Sequence, residues 1–256
     1  MNLFKSKAGL LVIDIHSHIL PAVDDGAKSW EIAVEMCRIA ADDGITHMVA
    51  TPHANERFSY DRVQHESSLR DLQQRVGDSL ELSLGCDFHL SYDSLQEVLA
   101  APERYTINAS RYLLVELSDF SIPTQIVDCF SQLGDRGVTV VITHPERNAI
   151  LRQNPQRVVE WAEIGCAVQV TANALTGFWG STVARVAAWL LERDAVHVIA
   201  TDAHDTKHRV PVLSKARDLI AQALGADLAK ALVEDNPRAI LAGQPLPYSP
   251  KPAVRS

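Results

Sequence analysis

The sequence predicts an α/β protein built on a parallel sheet, and three features of the chain support this. Seven short apolar runs occur along the 256 residues, and several are continuous rather than alternating. Continuous apolar runs are typical of strands that are covered on both faces. Helical patterns lie between the runs, so that strand and helix alternate throughout. Polar residues of the metal-binding types follow most of the runs directly.

The predicted strands fit a closed or nearly closed barrel, and an open doubly wound sheet is the alternative. We favour the barrel because it brings the ends of all strands to one place, where the active site of such a fold lies. The strands are predicted at residues 10–15, 46–51, 80–84, 112–117, 138–143, 166–171 and 196–201.

Helix boundaries are predicted from capping residues, prolines and glycines. A helix begins after Ser29 and stops at Gly44, and another opens at Pro123. Two Asn-Pro pairs predict an N-cap followed by proline at the first helical position, and a serine is predicted to cap residues 182–193. These caps are Asn154-Pro155, Asn236-Pro237 and Ser181.

The chain is expected to form a single domain over residues 1–243, because it shows neither an internal repeat nor a linker. The remaining segment, 244–256, is rich in proline and is predicted to be a disordered tail.

The composition is that of a globular protein with a sizeable core, with 46% hydrophobic and 22% charged residues. The net charge of -8 lacks the excess of basic residues that binding to a phosphate backbone usually needs, so no nucleic-acid partner is expected. The cysteines are scattered without a CxxC pair, which predicts buried thiols in a reducing compartment. They are Cys37, Cys86, Cys129 and Cys166.

A cytoplasmic location without membrane insertion is expected. The apolar run that follows Lys5 and Lys7 is broken by Asp14 and has no small-residue cleavage site, so a signal peptide is not predicted. No stretch approaches the roughly 18 apolar residues of a membrane span.

Metal-binding residue types are concentrated where the predicted strands end. His16 and His18 stand two residues apart on an extended chain, so their rings point to the same side and can bind one ion together. The later runs lead into Thr51-Pro52-His53, Gly85-Cys86-Asp87, Glu116, Thr143-His144-Pro145-Glu146-Arg147, Thr171-Ala172-Asn173 and Thr201-Asp202-Ala203-His204, and Asp24-Asp25-Gly26 follows the first run.

Together these strand ends predict a centre with two or three metal ions. So many carboxylates in one place would repel each other unless cations neutralised them. About nine ligands exceed what one ion uses. Imidazole and carboxylate ligands without thiolate suit manganese, iron, zinc or cobalt.

Two arginines follow the predicted ligands closely. Arg147 stands three residues after His144, and Arg209 stands five residues after His204. Arginine at this rim would bind phosphate oxygens through its forked donors, and a surface salt bridge is the alternative for each.

Two other hydrolase chemistries are excluded. A cysteine-based phosphatase needs an arginine six residues after its cysteine, and the four positions here are Asp43, Tyr92, Asp135 and Ala172. A binuclear amidohydrolase with a carboxylated lysine needs a lysine on a middle strand, and the chain has none between Lys28 and Lys207. A metal-dependent nuclease, a histidinol-phosphate-type phosphatase and a non-catalytic regulatory module stay open.

The motifs resemble those of the PHP (polymerase and histidinol phosphatase) superfamily, and within it the bacterial capsule-regulating tyrosine phosphatases of the CpsB/YwqE type. The resemblance covers the chain up to about residue 243. The matching segments are Asp14-Ile15-His16-Ser17-His18-Ile19-Leu20-Pro21 with Asp24-Asp25-Gly26, Ala50-Thr51-Pro52-His53, Val115-Glu116-Leu117-Ser118, Thr143-His144-Pro145-Glu146-Arg147, Thr201-Asp202-Ala203-His204 and Asp235-Asn236-Pro237-Arg238.

This resemblance implies a distorted seven-stranded (β/α)7 barrel of PHP type with a trinuclear centre, often of manganese. It implies three sets of ligands. The first ion would be held by His16, His18 and Asp202, the second by Glu116 and His144 with Asp87 as the bridge, and the third by Asp25, His53 and His204. The sequence departs from the family's pattern at Asp87, where the family has glutamate.

The activity implied is metal-assisted hydrolysis of a phosphomonoester, with Arg147 and Arg209 matching the phosphate-binding arginines. Phosphotyrosine has a good leaving group, because a phenol has a pKa of about 10. A protonated His53 or His204 would assist its departure. The implied partner is a phosphotyrosine protein, the tyrosine-rich tail of a bacterial autokinase that controls exopolysaccharide export.

Overall fold

The structure, a computed structural model, describes residues 11–251. The segment up to residue 10, which includes Lys5, Lys7 and the first residue of the predicted strand 10–15, lies outside the described residues, as does 252–256 at the end of the predicted tail.

Two parallel sheets form the centre of the molecule, so the predicted α/β class with parallel strands is confirmed. One sheet has the order β1-β2-β4, and the other has the order β3-β5-β6-β7-β8-β9. The strands are β1 (Val12–Ser17), β2 (Ile45–Ala50), β3 (His53–Ala54), β4 (Glu81–Leu84), β5 (Asp87–His89), β6 (Tyr112–Glu116), β7 (Thr139–Thr143), β8 (Ala167–Thr171) and β9 (Val198–Ala200).

The predicted count of seven strands is wrong for the described residues, because the second and third runs are each followed by an additional short strand, β3 and β5, that belongs to the other sheet. Pro52 has no N–H to give to a ladder and separates β2 from β3. Gly85 lies at the corresponding break between β4 and β5, where a Cβ would approach Cγ1 of Ile107 to 2.8 Å. The two breaks stay in register, since Gly85 N donates to Ala50 O (2.8 Å) and Asp87 N donates to Pro52 O (3.2 Å).

The first and last strands lie side by side at their carboxyl ends. Ser17 and Ala203 form an isolated parallel bridge. His18 N donates to Ala203 O, and Asp202 N donates to His16 O, both at 2.8 Å. The polar residues that follow β1 and β9 are therefore brought together although they are far apart in the sequence.

Helices follow most of the strands. They are α1 (Trp30–Asp42), α2 (Arg62–Val76), α3 (Tyr92–Ala100), α4 (Ile126–Asp135), α5 (Ala149–Gln153), α6 (Gln156–Glu163), α7 (Ala172–Leu175), α8 (Ser181–Glu192), α9 (Ser214–Leu224), α10 (Ala226–Lys230) and α11 (Asn236–Leu241), with a π-helical turn at Ala231–Asp235. The predicted cap of α1 is confirmed, because Ser29 Oγ accepts a hydrogen bond from Ile32 N.

Three other predicted caps are wrong. Asn154 ends α5, and α6 begins after Pro155 without a side-chain cap. Ser181 is the first residue of α8 rather than its cap. Asn236 lies inside a continuous helical stretch, and its Nδ2 donates to the carbonyl oxygens of His197 and Tyr248. A tertiary partner thus replaces the local capping role that the sequence suggested.

Two apolar clusters stabilise the fold. The larger one lies between the sheets and the helices, and the smaller one is built mainly from strand residues such as Ile15, Val49, Leu114, Val141 and Val198. The strands are therefore covered on both faces, as their continuous apolar runs predicted.

The first part of the predicted tail contacts the body of the protein. The Tyr112 hydroxyl donates to Gln244 O (2.6 Å), and Tyr248 N donates to Oδ1 of Asn236 (3.0 Å). Lys251 N donates to a carboxylate oxygen of Asp194 (2.9 Å). Across residues 11–251, none of the helices combines the length and the apolar character that a bilayer crossing requires.

Candidate metal centre

Two histidine rings at the end of β1 are oriented by other side chains. His16 Nδ1 hydrogen-bonds to Oε1 of Gln169 at 3.0 Å, and His18 Nδ1 donates to Oδ2 of Asp24 at 2.7 Å. The two Nε2 atoms are 3.3 Å apart and face Oδ1 of Asp202 at 3.5 and 3.4 Å. Because each Nδ1 is engaged, both Nε2 lone pairs are available to one shared space.

A second group surrounds Asp87 at the start of β5. Its Oδ2 lies 3.5 Å from His16 Nε2 and 3.2 Å from His53 Nδ1. Glu116 at the end of β6 lies 3.8 Å from His53 Nδ1 and 3.7 Å from His144 Nε2. Asp87 thus stands between the ring at the end of β1 and the ring that opens β3.

A third group lies at the more exposed side of the rim. Asp25 Oδ1 is 3.3 Å from His53 Nε2 and 3.5 Å from His204 Nε2. The other ring nitrogen of His204, Nδ1, donates to the backbone oxygen of Asp202 at 3.0 Å.

The structure therefore brings all nine predicted ligands to one place, which we call the metal cluster: His16, His18, Asp25, His53, Asp87, Glu116, His144, Asp202 and His204. Seven of them form three compact groups whose ligand atoms lie within 4.8 Å of one another. The groups are His18-Asp25-His53-His204, His16-His18-Asp87 and His53-Asp87-Glu116. His144 and Asp202 stand at the edge of these groups.

Unpaired buried atoms indicate that the cluster fits metal ions. Within residues 11–251, neither His53 Nδ1 nor Asp87 Oδ2 has a hydrogen-bond partner, although both atoms are buried. Buried polar atoms without partners are rare and costly. An imidazole nitrogen and a carboxylate oxygen that face each other are ordinary ligands of a divalent transition metal.

The pKa values of histidines in the metal cluster also indicate that its carboxylates require positive charge nearby. Burial lowers the pKa of His16, but the Asp87 and Asp202 carboxylates outweigh it and raise the pKa to about 9. Burial also lowers the pKa of His53, but the Asp25 and Asp87 carboxylates beside the ring outweigh it and raise the pKa to about 11. Protons on these rings neutralise the carboxylates where cations would do so.

Two cluster residues have the left-handed backbone conformation that non-glycine residues rarely adopt. His144 has φ 33° and Asp202 has φ 52°. Neighbouring strands hold both, since His144 N donates to Gln169 O (2.9 Å) and Asp202 N donates to His16 O (2.8 Å). Such strain is concentrated at functional sites, where it fixes the direction of a side chain.

The two predicted phosphate-binding arginines converge beside the cluster. Arg147 and Arg209 both donate to Oδ2 of Asp202. Their guanidinium carbons lie 4.4 and 5.6 Å from the ring centroid of Trp179, at cation–π distance. Two loops, one after β7 and one after β9, thereby present paired positive charges at the same rim.

Several contributors were not identified from the sequence. Gln169 orients His16, and the only signal for it was a polar residue within an apolar run. His89 Nδ1 lies 3.7 Å from Glu116, and no strand-end motif included it. Trp179 lies between α7 and α8 and gave no signal at all. Thr171-Ala172-Asn173 at the end of β8, which the sequence placed among the strand ends at the site, contributes no ligand to the three groups.

The fold and the site define a class of protein: an α/β protein whose parallel strands carry, at their carboxyl ends, a cluster of histidines and carboxylates that fits several metal ions. The chain belongs to the CpsB/CapC family, described as "Capsular polysaccharide synthesis, CpsB/CapC", which matches residues 12–242. The resemblance to the CpsB/YwqE type that the sequence indicated is thereby confirmed.

Individual relatives cover almost the whole chain. The chain is 35% identical to "Tyrosine-protein phosphatase CpsB" of Streptococcus pneumoniae, with 91% of this chain and 99% of the relative covered. It is 30% identical to "Tyrosine-protein phosphatase YwqE" of Bacillus subtilis (strain 168), with 95% and 97% covered.

Solved structures agree with these relatives. One described under "Crystal structures of YwqE from Bacillus subtilis and CpsB from Streptococcus pneumoniae, unique metal-dependent tyrosine phosphatases" gives a TM-score of 0.86 at 30% identity, with 95% of this chain and 100% of the other covered. A histidinol phosphate phosphatase from Lactococcus lactis gives 0.58 at 14% identity, over 84% and 95%, which shows a shared fold alone.

Proposed function

We propose that this chain is a metal-dependent protein-tyrosine phosphatase that acts in the regulation of capsule or exopolysaccharide synthesis. The observation that carries the proposal is the convergence of Arg147 and Arg209 on Asp202, itself a residue of the metal cluster. Relatives that are 30–35% identical over nearly the whole chain are named tyrosine-protein phosphatases.

The ligand sets of the proposal follow the family resemblance. His16, His18 and Asp202 would hold one ion, Glu116 and His144 a second, with Asp87 shared between them. Asp25, His53 and His204 would hold a third; Asp25 lies within 3.5 Å of a ring nitrogen of both histidines. Bound divalent cations would supply an activated water and would neutralise charge on the phosphate.

Side chains of this protein would bind the phosphate and hold it in position. Arg147 and Arg209 would transfer hydrogen bonds from Asp202 to the non-bridging phosphate oxygens, in the fork geometry that guanidinium and phosphate share. Trp179 holds both guanidiniums at its ring and so fixes where the phosphate lies. A phenolate leaves with little help because the pKa of a phenol is about 10.

Finer points of the proposal rest on the resemblance. The ions would be manganese, with iron, zinc, cobalt or magnesium as substitutes. The two sheets would correspond to the distorted (β/α)7 barrel of PHP type, and residues 1–243 would be one domain followed by a tail. The substrate would be a phosphotyrosine protein in the cytoplasm, the tyrosine-rich tail of an autokinase.

The decisive experiment compares substrates under one metal condition. We expect phosphate release from a phosphotyrosine peptide with manganese, and none after EDTA. A His144→Ala variant should lose turnover, whereas His208→Ala, which alters an exposed histidine near Arg209, should keep it.

Histidinol phosphate and single-stranded DNA serve as the comparison substrates. Faster cleavage of either one than of the phosphotyrosine peptide would contradict the proposal. Full turnover by the His144→Ala enzyme would contradict the assignment of the cluster.

A further inference from the structure

A cavity of about 510 Å³ opens beside the metal cluster. Part of its lining is ionic, with Glu116 and His144 from the cluster and Arg147 from the arginine pair. A ligand in this cavity therefore reaches the phosphate-binding groups directly. The volume falls within the range of about 300–1,000 Å³ that is typical of small-molecule sites, and a phosphate group alone would leave much of it unfilled.

The rest of the lining includes an apolar wall. Leu117, Leu151 and Val183 are buried side chains that border the cavity, and Trp179 borders it as well. The indole nitrogen of Trp179 is a buried donor without a hydrogen-bond partner among residues 11–251. The same ring lies against both arginines, so it connects the ionic and the apolar parts of the lining.

We propose that this cavity, the aryl cavity, binds the phenyl ring of a phosphotyrosine side chain and so selects aryl over alkyl phosphate esters. This inference rests on the proposed function. A phenyl phosphate has an ionic end and an apolar ring, and the lining offers Arg147 for the first and Leu117, Leu151, Trp179 and Val183 for the second, beside other polar residues. Burial of an aromatic ring against leucine, valine and tryptophan favours this ligand over one that lacks the ring.

A second cavity, of about 410 Å³, is the alternative place for the ring. His89, Phe88 and Tyr105 line it, and His89 Nδ1 lies 3.7 Å from a carboxylate oxygen of Glu116. Neither Arg147 nor Arg209 lines this second cavity. Arg147 lines the aryl cavity, so a phosphate held by Arg147 would direct its ester group into that cavity rather than into the second one.

Exposed aromatic residues next to the aryl cavity fit a substrate that is a peptide. Phe178 is 48% exposed and packs edge-on against Trp179, with ring centroids 5.1 Å apart. Phe120 is 96% exposed and follows the lining residue Asp119. Large apolar side chains left in water beside a site are typical of surfaces that contact a partner.

Thr182 offers a direct test, because it is exposed at the start of α8 and lines the aryl cavity. A Thr182→Trp side chain would fill part of the cavity without disturbing the core. Ser59→Trp is the matched control, since Ser59 is an exposed residue that lines the second cavity. Binding of phenylphosphonate and methylphosphonate to the metal-loaded protein is measured by calorimetry, and turnover of phosphotyrosine is compared with that of an alkyl phosphate.

We expect Thr182→Trp to weaken phenylphosphonate binding roughly tenfold or more, because burial of a ring contributes at least about a factor of ten to affinity. Methylphosphonate binding should change less than about twofold, since this ligand has no ring. Ser59→Trp should leave both affinities within about twofold. Equal losses for both phosphonates in Thr182→Trp, or a selective loss in Ser59→Trp instead, would overturn the proposal. A wild-type protein that hydrolyses no phosphate ester would contradict the proposed function itself, which is a separate outcome.

Discussion

The metal cluster has two sides, and the protein supports them in different ways. At the end of β1, His16 and His18 are almost fully buried, and each ring is held through its Nδ1 atom. Gln169 holds the first ring at 3.0 Å and Asp24 holds the second at 2.7 Å. These two rings are therefore oriented by the protein itself.

The other side lacks such partners. His53 Nδ1 and Asp87 Oδ2 lie 3.2 Å apart and, in the part of the chain that the structure describes, neither has a hydrogen-bond partner. Glu116 beside them is about one quarter exposed. This side is completed only by what binds to it, whereas the β1 side is prepared in advance. Substitution of a predicted metal ligand on this second side should therefore reduce metal binding and activity more than substitution of a residue that orients a ring on the β1 side.

The largest effect is expected from Asp87→Asn. This change removes the charge that lies between His16 and His53. In the proposed arrangement, ions on both sides would then lose a shared ligand. We expect kcat/KM to fall by more than about 100-fold, beyond the usual effect of an outer-shell partner, together with a loss of bound metal per chain. Metal content is measured by elemental analysis alongside phosphate release.

The control for this prediction is Asp87→Glu, which keeps the negative charge and both carboxylate oxygens. It should retain metal and most of the activity. An Asp87→Asn enzyme with full metal content would show that the two sides do not share this carboxylate.

A smaller effect is expected from Asp24→Ala. Asp24 holds His18, and it also accepts hydrogen bonds from the backbone of Gly26 (2.9 Å) and His53 (3.2 Å). Removal of a residue that orients a metal ligand typically costs about 10–100-fold in metal affinity or activity. Manganese titration of the apo protein would measure this loss.

Gly26 N and His53 N donate to different oxygens of Asp24, and asparagine keeps only one of the two acceptors. We therefore expect Asp24→Asn to fall between wild type and Asp24→Ala. If Asp24→Ala bound manganese as tightly as wild type, the ring of His18 would not depend on its support.

The smallest effect at neutral pH is expected at His197, a buried histidine outside the cluster. Burial outweighs the other influences on His197 and lowers its pKa to about 4, whereas carboxylates raise the pKa of His16 to about 9. Its folded pKa lies below the unfolded value of about 6.5, so its contribution to stability is complete above that pH and is lost as the pH falls through about 4.

Acidification should therefore lower the free energy of unfolding of the wild-type protein by up to about 3 kcal/mol more than that of the His197→Asn variant. Asparagine can still accept the hydrogen bond from Val168 N, which His197 Nδ1 accepts at 3.1 Å. Urea unfolding at about pH 7 and about pH 4.5 measures the difference. Identical acid sensitivity of the two proteins would contradict the prediction, and phosphatase activity at neutral pH should not change.

Part of the fold and most of the candidate ligands could be predicted from the sequence. The order of strands and helices was predictable because apolar periodicity is a local property of the chain. The breaks at Pro52 and Gly85 were not, because the division into two sheets depends on which neighbour each segment pairs with. The cap expected at Asn236 failed for a similar reason, since its side chain bonds to distant carbonyl oxygens instead of to its own helix.

The sequence alone determined which chemical groups stand at the strand ends, because a histidine or an aspartate that follows a parallel strand must lie at its carboxyl edge. The tertiary structure decided how those groups are supported and joined. Gln169 reaches His16 across 153 residues of chain, and Trp179 meets two arginines from different loops. Such contacts depend on sheet register and loop packing, which local sequence patterns do not encode.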